Sequence, residues 1–308
     1  MLIGFGAPVS GSWATPANQV AIAQRAEALG YTSLWTFSRL IYSDWPEPMR
    51  LASPYRSVHD PIVVASFLAG VTERIRLGLA VVNAPFYPPI ALAKALTSLD
   101  IVSGGRLDAG LGIGWSPDEY EATGTSMERR GARMSEYLRC LEEIWTGDPA
   151  EFEGEFYKVP RGWSDPKPVQ QPHPPVLLGG TADAALRRAG ALAQGWISSS
   201  RVEVQSLAHA IEQLRAGASG AGKDPAAVRV VIRGVARLRE APDPAAGPLT
   251  GPLDVIRAGL ERYAEAGATE VFLDLNFDEE IGNPDADAAR SLDIAHQVLE
   301  AFAPESAG

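Results

Sequence analysis

The sequence predicts an α/β fold, a (β/α)8 barrel of the TIM type, and three observations carry that expectation. Strand-like and helix-like segments alternate eight times between residue 2 and the C-terminal region. The chain has 308 residues, about what an eightfold barrel needs, and no Pro/Ser-rich linker splits it, so 1–308 reads as a single domain. The strand candidates are continuous apolar runs, as parallel strands covered by helices require. A doubly wound open sheet is the main competitor; the count of eight without a break favours the barrel.

LIGFG (2–6) is the first strand candidate, and Thr15-Pro16 supplies a cap and first-turn pair for the helix after it. TSLWTF (32–37) is the second. Asp60-Pro61 opens a helix in which Val64, Phe67, Leu68 and Val71 recur at i, i+3, i+4 and i+7. IRLGLAVV (75–82) is the third strand, and Pro88-Pro89 opens its helix. RLDAGLGIG (106–114) is the fourth, followed by a long helix near 127–146. The rhythm then breaks: residues 147–175 hold Gly, Pro and aromatics and read as an insertion with a small hairpin at FEGEFY (152–157). PVLLGG (175–180) and the helix ADAALRRAGALA resume the alternation. GWISSS (195–200), VRVVIRGVARL (228–238) and EVFLDL (270–275) are the last three strands, with Gly251-Pro252 and Asn283-Pro284 opening the last two helices.

Composition excludes several function classes. The formal charge is −11, from 27 Lys plus Arg against 38 Asp plus Glu, which opposes nonspecific attraction to nucleic acid or anionic membrane. The single cysteine, Cys140, rules out an intramolecular disulfide and fits a reducing cytoplasm; it sits in a helical pattern where packing is its expected role. MLIGFGAPVSG lacks the basic leader of a signal peptide, and no apolar run reaches the length of a membrane span. His59, His173, His209 and His296 are scattered without metal-ligand spacing, so no metal site is expected. No G-x-S-x-G nucleophile elbow exists.

A barrel of this kind places its chemistry at the C-terminal ends of its strands. Those ends carry Ser38 and Arg39 after strand two, Asn83 after strand three, Gly112, Gly114 and Trp115 after strand four, and Gly179, Gly180 and Thr181 after strand five. Ser198 to Arg201 follow strand six, Arg237 strand seven, and Asp274 and Asn276 strand eight. In LLGGTADAAL (177–186), small residues permit close backbone approach and the helix start offers free N–H groups to a phosphate. The same stretch also reads as a tight strand–helix turn with Thr181 as N-cap. GLGIGW (110–115) is not a dinucleotide fingerprint; its glycines suit a flat ligand against a strand end. Trp115 and Trp196 are candidate pocket walls, and Asp274 is expected to be a charge paired at the barrel rim.

Several stretches together are more specific. SGGRL followed by GLGIGW, with GARMSEYL, PKPVQ and HPPVLLGG downstream, resembles the luciferase-like monooxygenase family, a superfamily of flavin- and deazaflavin-dependent barrels. The resemblance covers most of residues 1–200, and its flavour is closer to the branch that uses coenzyme F420 than to the long-chain luciferases. It implies a homodimer, a small-molecule substrate, and F420 or alternatively FMN on the strand ends. The cofactor phosphate would lie on Gly179, Gly180 and Thr181, with Gly112 and Gly114 beside the ring or its tail. It also implies a non-proline cis peptide at Ala80–Val81, with Val81 as the backstop of the ring. Relatives carry an acid–His pair where this chain has Ser38-Arg39, and the sugar-phosphate branch a Glu at the place of Trp115. An Arg stays protonated and is a poor general base, so alcohol oxidation by that machinery is disfavoured. Ser38 is then expected to hydrogen-bond the cofactor ring. Arg39 either holds an anionic substrate or enolate, or pairs with an acid such as Asp44 or Glu47. The aromatic loop 38–58, with Tyr42, Trp45 and Tyr55, is expected to wall the substrate pocket or act as a lid. The leading expectation is an F420-dependent oxidoreductase reducing C=C or C=N. The alternatives are an FMN-dependent monooxygenase using oxygen, a non-catalytic flavin-binding protein, and a barrel hydrolase.

Overall fold

The computed structural model describes residues 1–304. Eight parallel strands close on themselves: β1 (Leu2–Gly6), β2 (Ser33–Thr36), β3 (Arg76–Leu79), β4 (Leu107–Gly112), β5 (Val176–Gly179), β6 (Gly195–Ile197), β7 (Arg229–Val235) and β8 (Glu270–Asp274). Neighbours pair in chain order; β1 also pairs with β8, which closes the barrel. Each strand is followed by a helix: α1 (Pro16–Ala28), α2 (Pro61–Ala69), α3 (Pro89–Val102), α4 (Arg130–Thr146), α5 (Asp183–Leu192), α6 (Leu207–Gly220), α7 (Leu253–Glu265) and α8 (Ala288–Ala301). The open-sheet alternative is thereby excluded.

The predicted caps act as the sequence suggests. The Thr15 hydroxyl accepts from Asn18 N, and the Asp60 carboxylate accepts from Ile62 N and Val63 N, satisfying donors the first turns leave free. The last helix is an exception: it starts at Ala288 with Asp287 as its cap, not at Asn283-Pro284. Strand seven is also shorter than the apolar run, because Arg237–Leu238 leave the barrel and pair with Thr250–Gly251. The insertion holds an antiparallel hairpin, Ala150–Glu153 with Lys158–Gly162, wider than the predicted 152–157.

Alternation along the strands sorts side chains between two cores. Leu34, Leu77 and Val230 face the helices in the large outer core, while Trp35, Leu177, Ile197, Val231 and Phe272 fill the barrel. Trp35 stacks on Phe272 at 5.3 Å between ring centres. Below this layer the N-terminal end is closed by charge: Asp108 accepts from Arg76 and Arg229, both at 2.8 Å, and Arg229 reaches Glu270 at 3.1 Å. The aromatic layer separates that cluster from the opposite end, where the cavity lies.

Candidate active site

A cavity of about 390 Å³ opens at the C-terminal ends of the strands. Of the strand-end residues singled out above, Ser38, Arg39, Ala80, Val81, Asn83, Gly112, Gly114, Trp115, Gly179, Gly180, Thr181 and Ser198 line it, whereas Trp196, Arg237, Asp274 and Asn276 do not. The contacts within this cavity revise several of the individual assignments.

The Ala80–Val81 peptide is cis, as expected. Val81 follows β3 and turns its side chain toward β4 and β5. A Cβ on Gly112 would fall 2.6 Å from Val81 Cγ2, and one on Gly179 would lie 3.4 Å from Val81 Cγ1. The spacing in GLGIGW thus seats Val81 at Gly112, rather than simply clearing room for a flat ligand. Ser38 is committed to the same feature. Its hydroxyl donates to the Val81 carbonyl at 2.7 Å, so the proton expected to reach a cofactor ring is already used. Ser198 is likewise internal: its hydroxyl accepts from Arg233 N at 2.9 Å and donates to the Ser199 carbonyl at 3.1 Å.

After β5 the chain turns sharply through Gly180, whose φ is +133°, and a Cβ there would meet the Ala185 Cβ at 2.8 Å. Only glycine fits that approach. Thr181 is not the N-cap. Ala182 occupies that position, with no side-chain hydrogen bond, so the N-terminus of α5 is uncapped and Ala182 and Ala185 line the cavity. The Thr181 hydroxyl is exposed beside these free N–H groups. Trp196 does not wall the pocket. It is buried on the helix-facing side of β6, and its Nε1 donates to the Gly180 carbonyl at 2.6 Å, pinning the turn.

Arg39 is buried and forms an ion pair, but with neither loop acid. Its Nη1 lies 2.9 Å from Oε2 of Glu119, a fully buried residue on the short helix Pro117–Ala122. The other Glu119 oxygen accepts from Leu40 N at 2.8 Å. The guanidinium lies between Tyr55, 4.8 Å from its ring centre, and Trp115, 4.5 Å away, and Trp115 packs on Trp45 at 6.3 Å. This stack ties the 38–58 loop to the loop after β4 and makes Tyr55 a wall of the cavity.

Sequence reasoning missed Arg233. It offered Arg237 for strand seven, yet Arg237 donates to the Ala246 and Phe277 carbonyls outside the barrel. Arg233 is the strand residue that points inward, and the alternation Arg229, Val231, Arg233 in VRVVIR was the available signal. It is 7% exposed, donates from Nη2 to the Ala80 carbonyl, and lies among Phe37, Phe272 and Phe277. Its Nε is 3.5 Å from Asp274 Oδ2, while Asp274 Oδ1 accepts from Asn276 N at 3.0 Å and Nδ2 at 2.9 Å. Asp274 is therefore paired as expected, inside the barrel rather than at its rim. Burial pushes the Arg233 guanidinium down and the Asp274 carboxyl up from their ordinary values, against their mutual attraction.

The lining holds three guanidinium groups, of Arg39, Arg130 and Arg233, and no carboxylate, histidine, cysteine or lysine. A larger groove, about 520 Å³, adjoins the cavity and shares Ser200 and Arg233 with it. Its charged lining is Arg201, Arg233, Arg237 and Arg262 against Glu203. It lacks the glycine turn and the Val81 seat, so the smaller cavity is the candidate site. Cys140 is remote from both: it is buried in the outer core, and burial pushes its thiol up to about 11. Among the described residues no metal-binding cluster occurs, and no helix is long and apolar enough to cross a membrane.

Residues 2–302 match the family model for luciferase-like monooxygenases. An uncharacterized protein of Mycobacterium tuberculosis, Rv0953c, is 33% identical over 255 residues, covering 82% of this chain and 78% of that one. An FMNH(2)-dependent dimethylsulfone monooxygenase of Pseudomonas putida is 30% identical over 53% of this chain and 46% of its own. Among solved structures, the monooxygenase RslO1 of Streptomyces bottropensis superposes with a TM-score of 0.80 at 21% identity, covering 99% of each chain. An F420-dependent secondary alcohol dehydrogenase superposes at 0.77 with 18% identity, covering 97% of this chain and 98% of that one. The structures share the fold, and the sequence match runs through every strand that builds the cavity: the chain belongs to the luciferase-like monooxygenase family.

Proposed function

We propose that the protein is an F420-dependent oxidoreductase that reduces an activated C=C or C=N bond in a small organic substrate. The charge of the site carries this reading. In a chain of net charge −11, the cavity and the groove beside it are lined by guanidinium groups with a single carboxylate, Glu203, between them. That lining suits a polyanionic cofactor with a phosphate and an acidic tail more than one with a phosphate alone. The residues present fit such a group: the Gly180 turn, which has no room for a Cβ against Ala185, brings bare backbone to the cavity, and α5 offers uncapped N–H groups to a phosphate. Thr181, Gly180 and Arg130 would hold the phosphate end, and Val81 would back the ring. When bound, the deazaflavin supplies hydride chemistry. The chain's own part is to orient, to exclude water and to hold charge. No lining residue is a general base of ordinary range, which sets this site apart from alcohol oxidation.

Reduced FMN with oxygen is the second reading, and the dimethylsulfone monooxygenase among the relatives favours it. Fluorescence titration of the purified protein with F420 and with FMN separates the two. Tight F420 binding with none for FMN, followed by oxidation of reduced F420 by an enone or imine, is the expected result. Binding of FMN alone moves the assignment to the oxygenase reading, and binding of neither sinks the redox assignment altogether.

A further inference from the structure

We infer that Arg233 and Tyr55 form the charge-holding and proton-donating pair of this site, and that its substrate is an α,β-unsaturated carbonyl compound or the corresponding imine. The inference deepens the proposed reductase reading and rests on it. Arg233 is buried, yet its hydrogen-bonding capacity is only partly used: Nη2 serves the Ala80 carbonyl, Nε finds no hydrogen-bond partner, and Nη1 has none among the described residues. Asp274 stands 3.5 Å away with one oxygen already taken by Asn276, so it balances the charge without occupying the donors. A buried guanidinium with spare donors on a cavity is a site for an acceptor oxygen. Tyr55 shares the aromatic surroundings of Arg233. Its ring packs on Phe277 at 5.4 Å and Phe37 at 6.3 Å, and Arg233 lies 4.9 Å and 5.4 Å from the same two rings. Tyr55 is half-buried, its hydroxyl makes no hydrogen bond among the described residues, and it is the one phenol in the cavity lining.

The chemistry balances. Hydride addition at the β carbon, with reduced deazaflavin as the donor, breaks the C=C π bond; that pair forms the enolate π bond between the α and carbonyl carbons as the carbonyl π pair moves onto oxygen. Arg233 holds that oxygen as it gains charge. The Tyr55 O–H bond then breaks, its proton forms the new C–H bond at the α carbon, and the tyrosinate recovers a proton from water.

Two measurements test this. The first uses cofactor-free protein and 4-nitrophenol, whose phenolate mimics a planar enolate oxygen. Bound probe should ionise about one unit lower in pH than free probe, a roughly tenfold preference for the phenolate. The shift should vanish in Arg233→Met and in the double variant Arg233→Met/Asp274→Asn, which removes both buried charges so that no lone ion remains. It should persist in excess inorganic phosphate, which competes only for the α5 turn. An unchanged probe, a shift that survives the double variant, or one abolished by phosphate overturns the assignment of Arg233. The second runs cyclohexenone reduction in D2O with reduced F420. Wild type should deuterate one face of the α carbon; Tyr55→Phe should lose that facial selectivity and slow turnover by about 10²–10⁴-fold. Unchanged selectivity and rate overturn the assignment of Tyr55. If no F420 binds while the probe shift is present, the redox reading fails and the oxyanion site stands.

Discussion

Gly180→Ala is the sharpest probe of the turn that would hold the cofactor phosphate. The new Cβ would sit 2.8 Å from the Ala185 Cβ, whereas carbon atoms in contact prefer about 3.5–4.0 Å, so the first turn of α5 has to give by about 0.7 Å or more. Overpacking of that kind costs about 1–3 kcal/mol. Forcing an alanine to a φ of +133° adds about 1–3 kcal/mol. The substitution should therefore lower stability by about 2–6 kcal/mol in urea denaturation, and it displaces the N–H groups that the phosphate would use. Losing one charge-assisted hydrogen bond, about 1.5–3 kcal/mol, corresponds to F420 binding roughly 10- to 100-fold weaker by fluorescence titration. The clash and the backbone strain are separable. Ala185→Gly removes the carbon being struck, at about 1 kcal/mol for glycine in a helix. In the double variant the clash is gone while the strain remains, so the cycle should show a favourable coupling of about 1–2 kcal/mol. Strictly additive stabilities would show that the clash is not where the geometry puts it. An alanine variant that binds F420 as tightly as wild type would refute the phosphate assignment.

Two further predictions concern the buried charges. Glu119→Gln leaves the Arg39 guanidinium buried without its counter-ion and should cost about 3–5 kcal/mol in urea denaturation, while Arg39→Met/Glu119→Gln should recover most of the loss; equal losses in both would mean the pair is not what holds the 38–58 loop. At the opposite end of the barrel, burial opposes ionisation of Asp108, but hydrogen bonds and charge from Arg76 and Arg229 hold its carboxyl below the ordinary value. A carboxyl depressed by folding stabilises the protein above its unfolded value and loses that contribution as pH falls through the folded one. Asp108→Asn should accordingly be about 3–5 kcal/mol less stable than wild type at neutral pH, with the gap closing in acid; a gap that widens in acid contradicts the sign.

The contacts also show how the polar pair after strand two is used. Ser38 and Arg39, the polar pair that follows strand two, are both engaged by the protein itself. Ser38 clamps the Val81 carbonyl, and Arg39 is held by Glu119 and sandwiched by Tyr55 and Trp115. These two residues build the cavity. Among the described residues, groups in it with unused hydrogen-bonding capacity include Arg233, the Arg39 Nε, Tyr55, Thr181 and the first N–H groups of α5.

Much was legible in the chain alone. The eight-fold alternation, the proline-marked helix starts and the continuous apolar strands reflect local physics: backbone propensity, capping and the need to bury both faces of a parallel sheet. The rule that barrel chemistry sits at strand C-termini then brought Gly112, Gly180 and their companions to one cavity, because short strands leave little doubt about where each ends. What only the tertiary structure decided is who touches whom across the barrel. Glu119 is 80 residues from Arg39 and Asp274 is 41 from Arg233, separations at which no local pattern specifies a partner. The glycine that seats Val81 looked like a ligand platform until the Val81 side chain filled it, and Trp196 looked like a wall until strand alternation turned it outward to pin Gly180. Sequence determines which residues reach the rim; barrel closure determines which of them are already spoken for, and so which remain to meet a ligand.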